Sequence, residues 1–381
     1  MEYEPQKMPE IAAFLPDLRP GGAEKLHVDL AHAWDSQGFK TVFLLRNAKG
    51  SLLDSIPASS LVVDFKSPRV RDVLIPLVRY LKESPPDALI AAMWPLTVIA
   101  PIAAKIANFK GRVLVSEHSP LSIAYSQKGI RHRLLLKATM GFFYRLADKR
   151  IAVSEGVATD IAALSMMKRG QFDVVNNPAA LGNVRPELPP PELLRTLDGP
   201  VFLTVGTLKE VKKHDLLIEA FALVPQELKA SLVILGDGAL KENLISLINK
   251  LGLGNKVFMP GFQSDTGPWY ANADLFVLSS SYEGFGNVIV EALEYGLPVV
   301  STDCPAGPRE ILDDGRYGTL VEPDNAVLLA KAMVDKIAEK PKRSLLRSRA
   351  NDFSICKISN RYLDLCFPER SISAGYTSEK N

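Results

Sequence analysis

The chain has 381 residues, with 45 basic against 43 acidic side chains, a hydrophobic fraction of 47% and a charged fraction of 23%. These are the values of an ordinary globular protein, and they exclude a disordered chain, a collagen-like fibre and a strongly charged nucleic-acid binder. At about 150 residues per domain the length predicts two domains, or one large one. The 3 cysteines have no metal-ligand spacing and the acidic start lacks the order of a signal peptide, so we expect a cytoplasmic chain in a reducing compartment.

Short apolar runs alternate with helical periodicity along the first 180 residues, which predicts a parallel α/β fold. Strands are predicted at 11–15, 41–45, 61–65, 88–92, 113–116, 150–153 and 173–175, and helices at 23–34, 70–82 and 157–164. The uncharged segment 88–104 contains two prolines, Pro95 and Pro101. It is also shorter than the roughly 20 residues that a membrane-spanning helix needs. We therefore interpret it as a strand, a proline turn and an apolar helix.

The second half repeats this alternation. Strands are predicted at 201–205, 232–235, 257–259, 275–278, 299–302 and 319–321, and helices at 215–223, 241–251, 288–295 and 326–337. The stretch 178–200 is rich in proline, which favours extended backbone over helix or sheet, and it predicts a linker at 181–199. The fold class is thus α/β, with two Rossmann-like doubly wound domains (1–180 and 200–350). Their ligand site is expected beyond the carboxyl ends of the strands, in a cleft that the two domains face.

The segment 128–150 carries an excess of positive charge. It has seven basic residues and a single acid, Asp148, with leucine and phenylalanine interleaved. This pattern suits contact with an anionic membrane surface. The alternative is a solvated helix whose apolar face packs on the core.

The segment most indicative of chemistry runs from Glu283 to Glu291 and opens a predicted helix after a strand. Glycines flank Phe285, and a helix N-terminus of this kind attracts a phosphate or a developing oxyanion. Two carboxylates can accept hydrogen bonds from vicinal hydroxyls, which sugars and riboses both present. Glutamates eight apart also occur elsewhere in the chain, so the glycine-flanked loop is what makes this pair significant.

A series of motifs resembles family 4 glycosyltransferases, retaining enzymes with the GT-B fold that build bacterial polysaccharides and lipid-linked saccharides. In the second half the motifs are Val205-Gly-Thr-Leu with Lys212, Leu235-Gly-Asp-Gly238, the Glu-x7-Glu segment, Gly296-Leu-Pro-Val-Val and Cys304-Pro-Ala-Gly-Pro-Arg-Glu310. In the first half they are Gly21-Gly-Ala-Glu24, Ser116-Glu-His118, Val153-Ser-Glu155 and Asn176-Asn-Pro178. The resemblance extends over the whole chain except about the last thirty residues. It implies an acceptor-side domain (1–180), a nucleotide-sugar domain (200–350), and a helix within 351–381 that crosses back to the first domain.

The resemblance also implies the catalytic residues. His118 would contact the donor-sugar hydroxyls near the anomeric carbon, and Glu283 would bind other hydroxyls of that sugar. Lys212 would bind the diphosphate, with Lys213 as a one-residue alternative in register. The competing interpretations are a structural histidine and a solvated lysine at a helix start.

Further donor-binding residues follow from the same resemblance. The loop at Gly21 and Gly22 would approach the donor phosphate or sugar, unless it is a plain strand-to-helix turn. Glu291 would bind the ribose hydroxyls. The backbone of Phe285, Gly286 and Asn287 would help to hold the sugar, unless Phe285 serves only as a core aromatic.

One position departs from the family pattern: Thr207 stands where an arginine usually follows the strand's glycine. A threonine hydroxyl carries no charge, so either Lys209 or Lys213 compensates or diphosphate binding is weaker. The sequence contains no Asp-x-Asp motif. We therefore expect no metal and no cofactor beyond the UDP-sugar donor, with the charge of the departing diphosphate balanced by cations and helix dipoles.

The implied activity is transfer of a hexose or N-acetylhexosamine from a UDP-sugar to a hydroxyl of a lipid-linked saccharide, in cell-surface polysaccharide synthesis. The expected location is cytoplasmic and peripheral, at the inner face of the membrane, which the segment 128–150 would contact. One alternative is a nucleotide-sugar-binding protein without transfer, which Thr207 favours. Another is a GT-B-type phosphorylase or epimerase, and the phosphorylase would need a lysine-anchored pyridoxal phosphate.

Overall fold

The computed structural model describes residues 8–180, 182, 184–185 and 187–369. Within it the chain forms two compact units. The first combines the residues up to Pro178 with those from Ile355 onwards, and the second is Ala179–Ser354. Positions 181, 183 and 186 of the predicted linker, and the predicted tail from 370, lie outside the described residues.

The first unit is built on a seven-stranded parallel sheet. Its strands are β1 (Glu10–Leu15), β2 (Lys40–Leu45), β3 (Leu61–Asp64), β4 (Ala88–Ala92), β5 (Arg112–Glu117), β6 (Lys149–Ala152) and β7 (Asp173–Val174). The order across the sheet is β3-β2-β1-β4-β5-β6-β7, so the winding direction reverses between β1 and β4. All five residues of β4 are buried, which is why this strand is a continuous apolar run in the sequence.

Six helices connect these strands. They are α1 (Gly22–Asp35), α2 (Leu74–Glu83), α3 (Leu96–Ala107), α4 (Leu121–Ala124), α5 (Ile130–Phe143) and α6 (Glu155–Ser165). The predicted helix at 70–82 is two elements, because Val70–Val73 forms a 3-10 turn before α2 begins. Pro76 explains the difference, since it has no N–H to donate to the carbonyl of Asp72, as a continuous α-helix would require.

The second unit contains a six-stranded parallel sheet. Its strands are β8 (Val201–Val205), β9 (Ser231–Leu235), β10 (Val257–Gly261), β11 (Leu275–Leu278), β12 (Val299–Thr302) and β13 (Thr319–Val321), in the order β10-β9-β8-β11-β12-β13. Its helices are α7 (Glu192–Arg195), α8 (His214–Ala222), α9 (Lys241–Lys250), α10 (Gly267–Asn272), α11 (Asn287–Glu294), α12 (Pro308–Ile311), α13 (Ala326–Ala338) and α14 (Arg343–Ala350). The winding reverses between β8 and β11. Both sheets therefore confirm the predicted doubly wound architecture.

The part of the proline-rich stretch that the structure describes is attached to the second unit. The Gly182 N–H donates to a Glu294 carboxylate oxygen at 2.7 Å. The Asn272 amide donates to the Leu188 carbonyl at 2.9 Å. These two contacts hold the proline-rich stretch against α11 and α10 of the second unit.

The last helix, α15 (Ile355–Cys366), completes the core of the first unit. Ile358 and Tyr362 lie in one buried cluster with Ile11 of β1 and Trp34 of α1. The ring centroids of Trp34 and Tyr362 are 6.2 Å apart. The amphipathic face of α15 is thus buried on the same side of the sheet as α1.

Candidate active site

The second unit brings the two most strongly implicated charges together. Lys212 follows β8 and Glu283 follows β11, the two strands between which the winding reverses. The Lys212 Nζ lies 2.7 Å from Glu283 Oε1, and the side chains are only 22% and 10% exposed. The Ser280 hydroxyl donates to the same carboxylate oxygen at 2.6 Å. A cation and a carboxylate therefore stand at the carboxyl edge of the sheet, at the switch point where ligands of such folds bind.

Two hydrogen bonds to backbone carbonyls join the loops that carry this pair. The Ser281 N–H donates to the Val211 carbonyl at 2.8 Å, and the Ser279 hydroxyl donates to the Lys212 carbonyl at 2.8 Å. A Cβ at Gly206 would lie 3.7 Å from Lys212 Cε, so the lysine side chain passes over this glycine. A Cβ at Gly236 would lie 2.0 Å from the Gly206 carbonyl oxygen, so only glycine fits there. The glycines of both motifs thus let the backbone approach closely where the lysine crosses.

The structure distinguishes the two adjacent lysines. Lys213 Nζ lies 3.2 Å from Asp324 Oδ1, and this contact raises the pKa of Lys213 above its ordinary value. Lys213 points to the loop before α13, whereas Lys212 points to Glu283. Thr207 is exposed at the end of β8.

Glu291 lies within α11 and has a buried partner that the sequence did not indicate. The Tyr270 hydroxyl donates to Glu291 Oε2 at 2.9 Å. Tyr270 is 1% exposed, and its ring stacks on Tyr295 with centroids 5.8 Å apart. Tyr270 therefore fixes the orientation of the Glu291 carboxylate.

The loop between the two glutamates is fixed by an aromatic contact and by two glycines. The Phe285 side chain is 2% exposed and packs edge-to-face on Phe353, with centroids 5.3 Å apart. Gly286 has a φ of +105° and precedes α11, whose first residue is Asn287. A Cβ at Gly307 would lie 1.7 Å from the Phe285 carbonyl oxygen. Phe285 is thus a core aromatic, and its carbonyl lies against Gly307.

The first unit places His118 directly after β5. Its Nε2 is 3.1 Å from the Ser116 hydroxyl, which is 3.5 Å from the Tyr362 hydroxyl of α15. Its Nδ1 is shielded from solvent and has no hydrogen-bond partner within the described residues. Ser116, itself in contact with Tyr362, therefore orients the ring through Nε2, and Nδ1 is a buried polar atom without a partner among the described residues.

A second histidine, His27 of α1, lies next to His118. Its ring centroid is 5.9 Å from that of His118, and its Nδ1 is 2.7 Å from the Ala23 carbonyl. Burial lowers the pKa of His27 to about 4. Burial, and secondarily the neighbouring His27, lowers the pKa of His118 to about 3. Both imidazoles are neutral at pH 7, so His118 offers a hydrogen bond rather than a charge.

The Gly21–Gly22 pair lies where β1 passes into α1. Gly21 is the extended residue that precedes the helix, and a Cβ there would lie 2.3 Å from Glu24 Oε2. A Cβ at Gly22 would meet no atom within 4 Å. The carboxylate of Glu24 thus occupies the space beside Gly21, and burial raises its pKa.

Glu117 points away from His118 into the unit. It accepts hydrogen bonds from the Thr97 hydroxyl at 2.6 Å, from the Tyr144 hydroxyl, and from the Trp94 N–H at 3.3 Å. Burial raises the pKa of Glu117 from its ordinary value of 4.5 to about 7. This carboxyl joins β5 to the start of α3 and to the turn that follows α5.

No cluster of three or more histidine, cysteine, aspartate or glutamate side chains placed to hold a metal ion occurs in the part of the chain that the structure describes. Across the same residues, no helix is both long and apolar enough to cross a membrane.

Comparison with known proteins assigns both halves of the chain. The family described as glycosyltransferase family 4 matches residues 20–181, and the family described as glycosyl transferases group 1 matches residues 189–353. The lipopolysaccharide core biosynthesis glycosyltransferase LpsE of Rhizobium meliloti is 31% identical over 360 residues, which cover 91% of this chain and 96% of LpsE. This chain belongs to glycosyltransferase family 4. The transferase is also 30% identical, over 68% of its length and 70% of the relative's, to a Campylobacter jejuni N-acetylgalactosaminyltransferase whose name specifies a diphospho-undecaprenol-linked acceptor.

Solved structures confirm the GT-B fold of the transferase. Anabaena HepE in complex with UDP superposes with a TM-score of 0.76 at 22% identity, covering 96% of this chain and 100% of HepE. The lipopolysaccharide outer core galactosyltransferase WaaB superposes with a TM-score of 0.72 at 24% identity, covering 94% and 99%. The predicted fold and enzyme class are both confirmed.

Proposed function

We propose that the transferase moves a hexose or N-acetylhexosamine from a UDP-sugar to a hydroxyl of a lipid-linked saccharide, with retention of anomeric configuration, in cell-surface polysaccharide synthesis. The observation that carries the proposal is the ion pair of Lys212 and Glu283 at the switch point of the second sheet. The Lys212 ammonium suits a diphosphate, and the Glu283 carboxylate suits sugar hydroxyls. The names of LpsE and of the Campylobacter relative support the saccharide acceptor and its lipid carrier.

In this proposal the donor lies along the carboxyl edge of the second sheet. Glu291, held by Tyr270, accepts hydrogen bonds from the ribose hydroxyls. Lys212 and the positive end of α11 at Asn287 stabilise the diphosphate as it departs and gains charge. Glu283 binds the donor-sugar hydroxyls together with the backbone of the Gly286 loop.

The sugar transfer itself needs no dedicated nucleophile in this proposal. The departing diphosphate accepts the proton of the acceptor hydroxyl, and the new bond forms on the face from which the diphosphate leaves. Neutral His118 contacts a donor-sugar hydroxyl, and the loop at Gly21 and Gly22 approaches the phosphate. These interactions favour the oxocarbenium-like transition state over the ground state. Lys212 supplies the positive charge that neutralises the departing diphosphate, so we propose that transfer is independent of metal.

The decisive experiment measures UDP release from a panel of UDP-sugars, with EDTA present and with lipid-linked saccharide extracts added. We expect release that depends on the acceptor, survives chelation and occurs with one donor. The anomeric configuration of the isolated product, read by its proton coupling constant, tests retention. A Glu283→Gln variant serves as the negative control. Release abolished by EDTA would contradict metal independence.

Thr207 favours a second candidate, a nucleotide-sugar-binding protein without transfer. Thr207 is uncharged and exposed, and Lys213 is directed to Asp324. This candidate predicts tight UDP binding with no release from any donor and any extract. A rise in transfer rate in Thr207→Arg would instead show an active enzyme whose diphosphate binding is weakened at this position.

We further propose that the segment 128–150 contacts an anionic membrane. Ile130, Leu134 and Phe142 on α5 are 74%, 61% and 75% exposed, and Arg131 and Arg133 lie among them at the surface. Apolar and basic side chains exposed on one helix suit the interface of an anionic bilayer.

The membrane proposal has its own test. Each basic residue near an anionic surface contributes about 1 kcal/mol, so changing Arg131, Arg133 and Lys137 together to glutamine should weaken binding to phosphatidylserine-containing vesicles by about a hundredfold. A control with the same loss of charge changes Lys250, Lys331 and Lys340, which are exposed in the second unit. Equal vesicle binding by the wild type and the first triple variant would refute membrane contact through this segment.

A further inference from the structure

A groove lined mainly by aliphatic side chains lies in the first unit, among the helices that follow β3, β4 and β5. It has a volume of about 660 Å³. Its apolar walls include Leu74 of α2, Val98, Ile99 and Ile102 of α3, and Leu135 of α5. Leu135 is 53% exposed, and Ile99 and Ile102 are only half-buried. The groove is therefore a concave apolar surface that these three helices leave uncovered.

One end of the groove lies at the carboxyl edge of the first sheet, where β5 ends and His118 follows in the chain. Trp94 and Pro95 line this end and follow β4, which is the neighbour of β5 in the sheet. The Trp94 N–H donates to Glu117, the residue before His118. Since α3 starts here and rises about 1.5 Å per residue, Ile102 lies about 9 Å further along the helix axis. The groove thus leads away from the carboxyl edge of the first sheet, the edge at which β5 passes into His118.

The charges of the groove are concentrated at the same end. Arg69 and Arg71 line the groove and precede α2, which starts, like α3, at the carboxyl edge of the sheet. Arg71 is 75% exposed, with Asp72 at 3.8 Å. None of the described residues that line the groove is acidic. The groove therefore has a cationic end at the carboxyl edge of the first sheet and an apolar body beyond it.

We propose that this groove binds the hydrocarbon chain of a lipid phosphate, the carrier of the acceptor saccharide. Arg69 and Arg71 hold the phosphate, and the aliphatic wall up to Ile102 holds the first part of the chain. The charge order matches an amphiphile whose anionic head lies between the reacting saccharide and the tail. A flat bilayer surface fits the protruding side chains of α5 such as Phe142, but it does not reach the half-buried Ile99 and Ile102. This inference rests on the proposed lipid-linked acceptor.

Binding can be measured directly with farnesyl monophosphate below its micelle concentration. Saturating UDP is present, so that the probe does not occupy the diphosphate site. The chain has 3 tryptophans, and Trp34 and Trp269 are 0% and 6% exposed. Trp94 is half-buried in the groove wall, so its fluorescence reports on occupancy. We expect saturable quenching by the probe.

Matched variants test the location. Ile102→Gln and Leu135→Gln should each weaken probe binding by about tenfold, because each removes one aliphatic contact from the site. Ile106→Gln is the control, since Ile106 is 54% exposed on the same helix but does not line the groove. Leu135 is exposed, so its replacement tests the proposal even where Ile102→Gln unfolds. Changing Arg69 and Arg71 together to glutamine should weaken binding of farnesyl phosphate but not of farnesol.

Three results would overturn the proposal. One is the lack of saturable quenching, and another is an equal effect of Ile106→Gln. The third is that the groove variants weaken vesicle binding but not probe binding, which would make this surface a bilayer contact. UDP release is assayed separately. Probe binding without acceptor-dependent release would contradict the proposed function alone, and release without probe binding would contradict the groove alone.

Discussion

Replacing Lys212 by methionine removes the cation that we assign to the diphosphate while keeping the length of the side chain. The Lys212 Nζ is 2.7 Å from Glu283 and the side chain is 22% exposed, so its charge acts in a partly desolvated site. Two unit charges about 4 Å apart interact by about 4 kcal/mol at an effective dielectric constant of about 20, equivalent to about a thousandfold in rate. The departing diphosphate gains only part of a charge, so we expect kcat to fall by about a hundredfold. KM for the donor should rise less, because the interaction strengthens as the bond breaks.

The assay is steady-state UDP release at saturating acceptor, with two matched variants beside it. Lys250→Met, at the exposed end of α9, should leave kcat/KM unchanged. Lys213→Met tests the register, because Lys213 is paired with Asp324. Loss of the Lys212 ion pair should cost about 2 kcal/mol of stability, so the folded state is verified by thermal unfolding. A folded Lys212→Met enzyme with kcat/KM within about threefold of the wild type would refute the assignment.

Three further predictions follow from the hydrogen-bond partners described above. Tyr270→Phe removes the hydroxyl that donates a hydrogen bond to Glu291, and it should raise KM for the UDP-sugar by about threefold with kcat nearly unchanged. The reason is that a ribose contact is equally strong in the ground and transition states. Steady-state kinetics at varied UDP-sugar concentration checks this. Tyr362→Phe and Ser116→Ala loosen the His118 ring and should lower kcat by about tenfold without changing UDP affinity measured by calorimetry; a parallel loss of UDP affinity would indicate general disruption instead. Glu117, whose pKa is raised from 4.5 to about 7, binds its proton more tightly in the folded state, so its contribution to stability is complete below pH 4.5 and is lost as the pH rises to about 7. The loss is about 3 kcal/mol, and Glu117→Gln should abolish this part of the pH dependence of urea unfolding; an unchanged slope would show that the carboxyl ionises freely in the folded protein.

Much of the fold could be predicted because central strands such as β4 and β11 are buried on both faces and so leave apolar runs. The predicted strand 88–92 coincides with β4, and 201–205 with β8. The segment 70–82 was less predictable, since its periodicity is helical throughout while Pro76 denies its first turn an α-helical hydrogen bond. Side-chain spacing indicates which face is buried, but backbone donors decide where a helix begins.

The candidate site, too, could be predicted only in part from the sequence. Lys212 and Glu283 stand in motifs at strand ends, so the sequence could place each of them, and the structure adds that they touch. The roles proposed for them, and for His118 and Glu291, remain predictions. Tyr270 and Tyr362 were not anticipated as partners, because their contacts join residues 21 and 246 positions apart and have no spacing signature. Partners of this kind are set by packing, which a single sequence does not display.

The discontinuous first unit has a consequence for synthesis on the ribosome. The apolar cluster around Ile11 and Trp34 includes residues of α15, and these are translated only after all of Ala179–Ser354. At about 5–20 residues per second, the first sheet waits on the order of ten seconds or longer for its last covering helix. Meanwhile the second unit, contiguous in the chain, can fold and leave the exit tunnel. The amino-terminal half is therefore made first but completed last, and a nascent chain stopped before Ile355 should present an apolar face to chaperones.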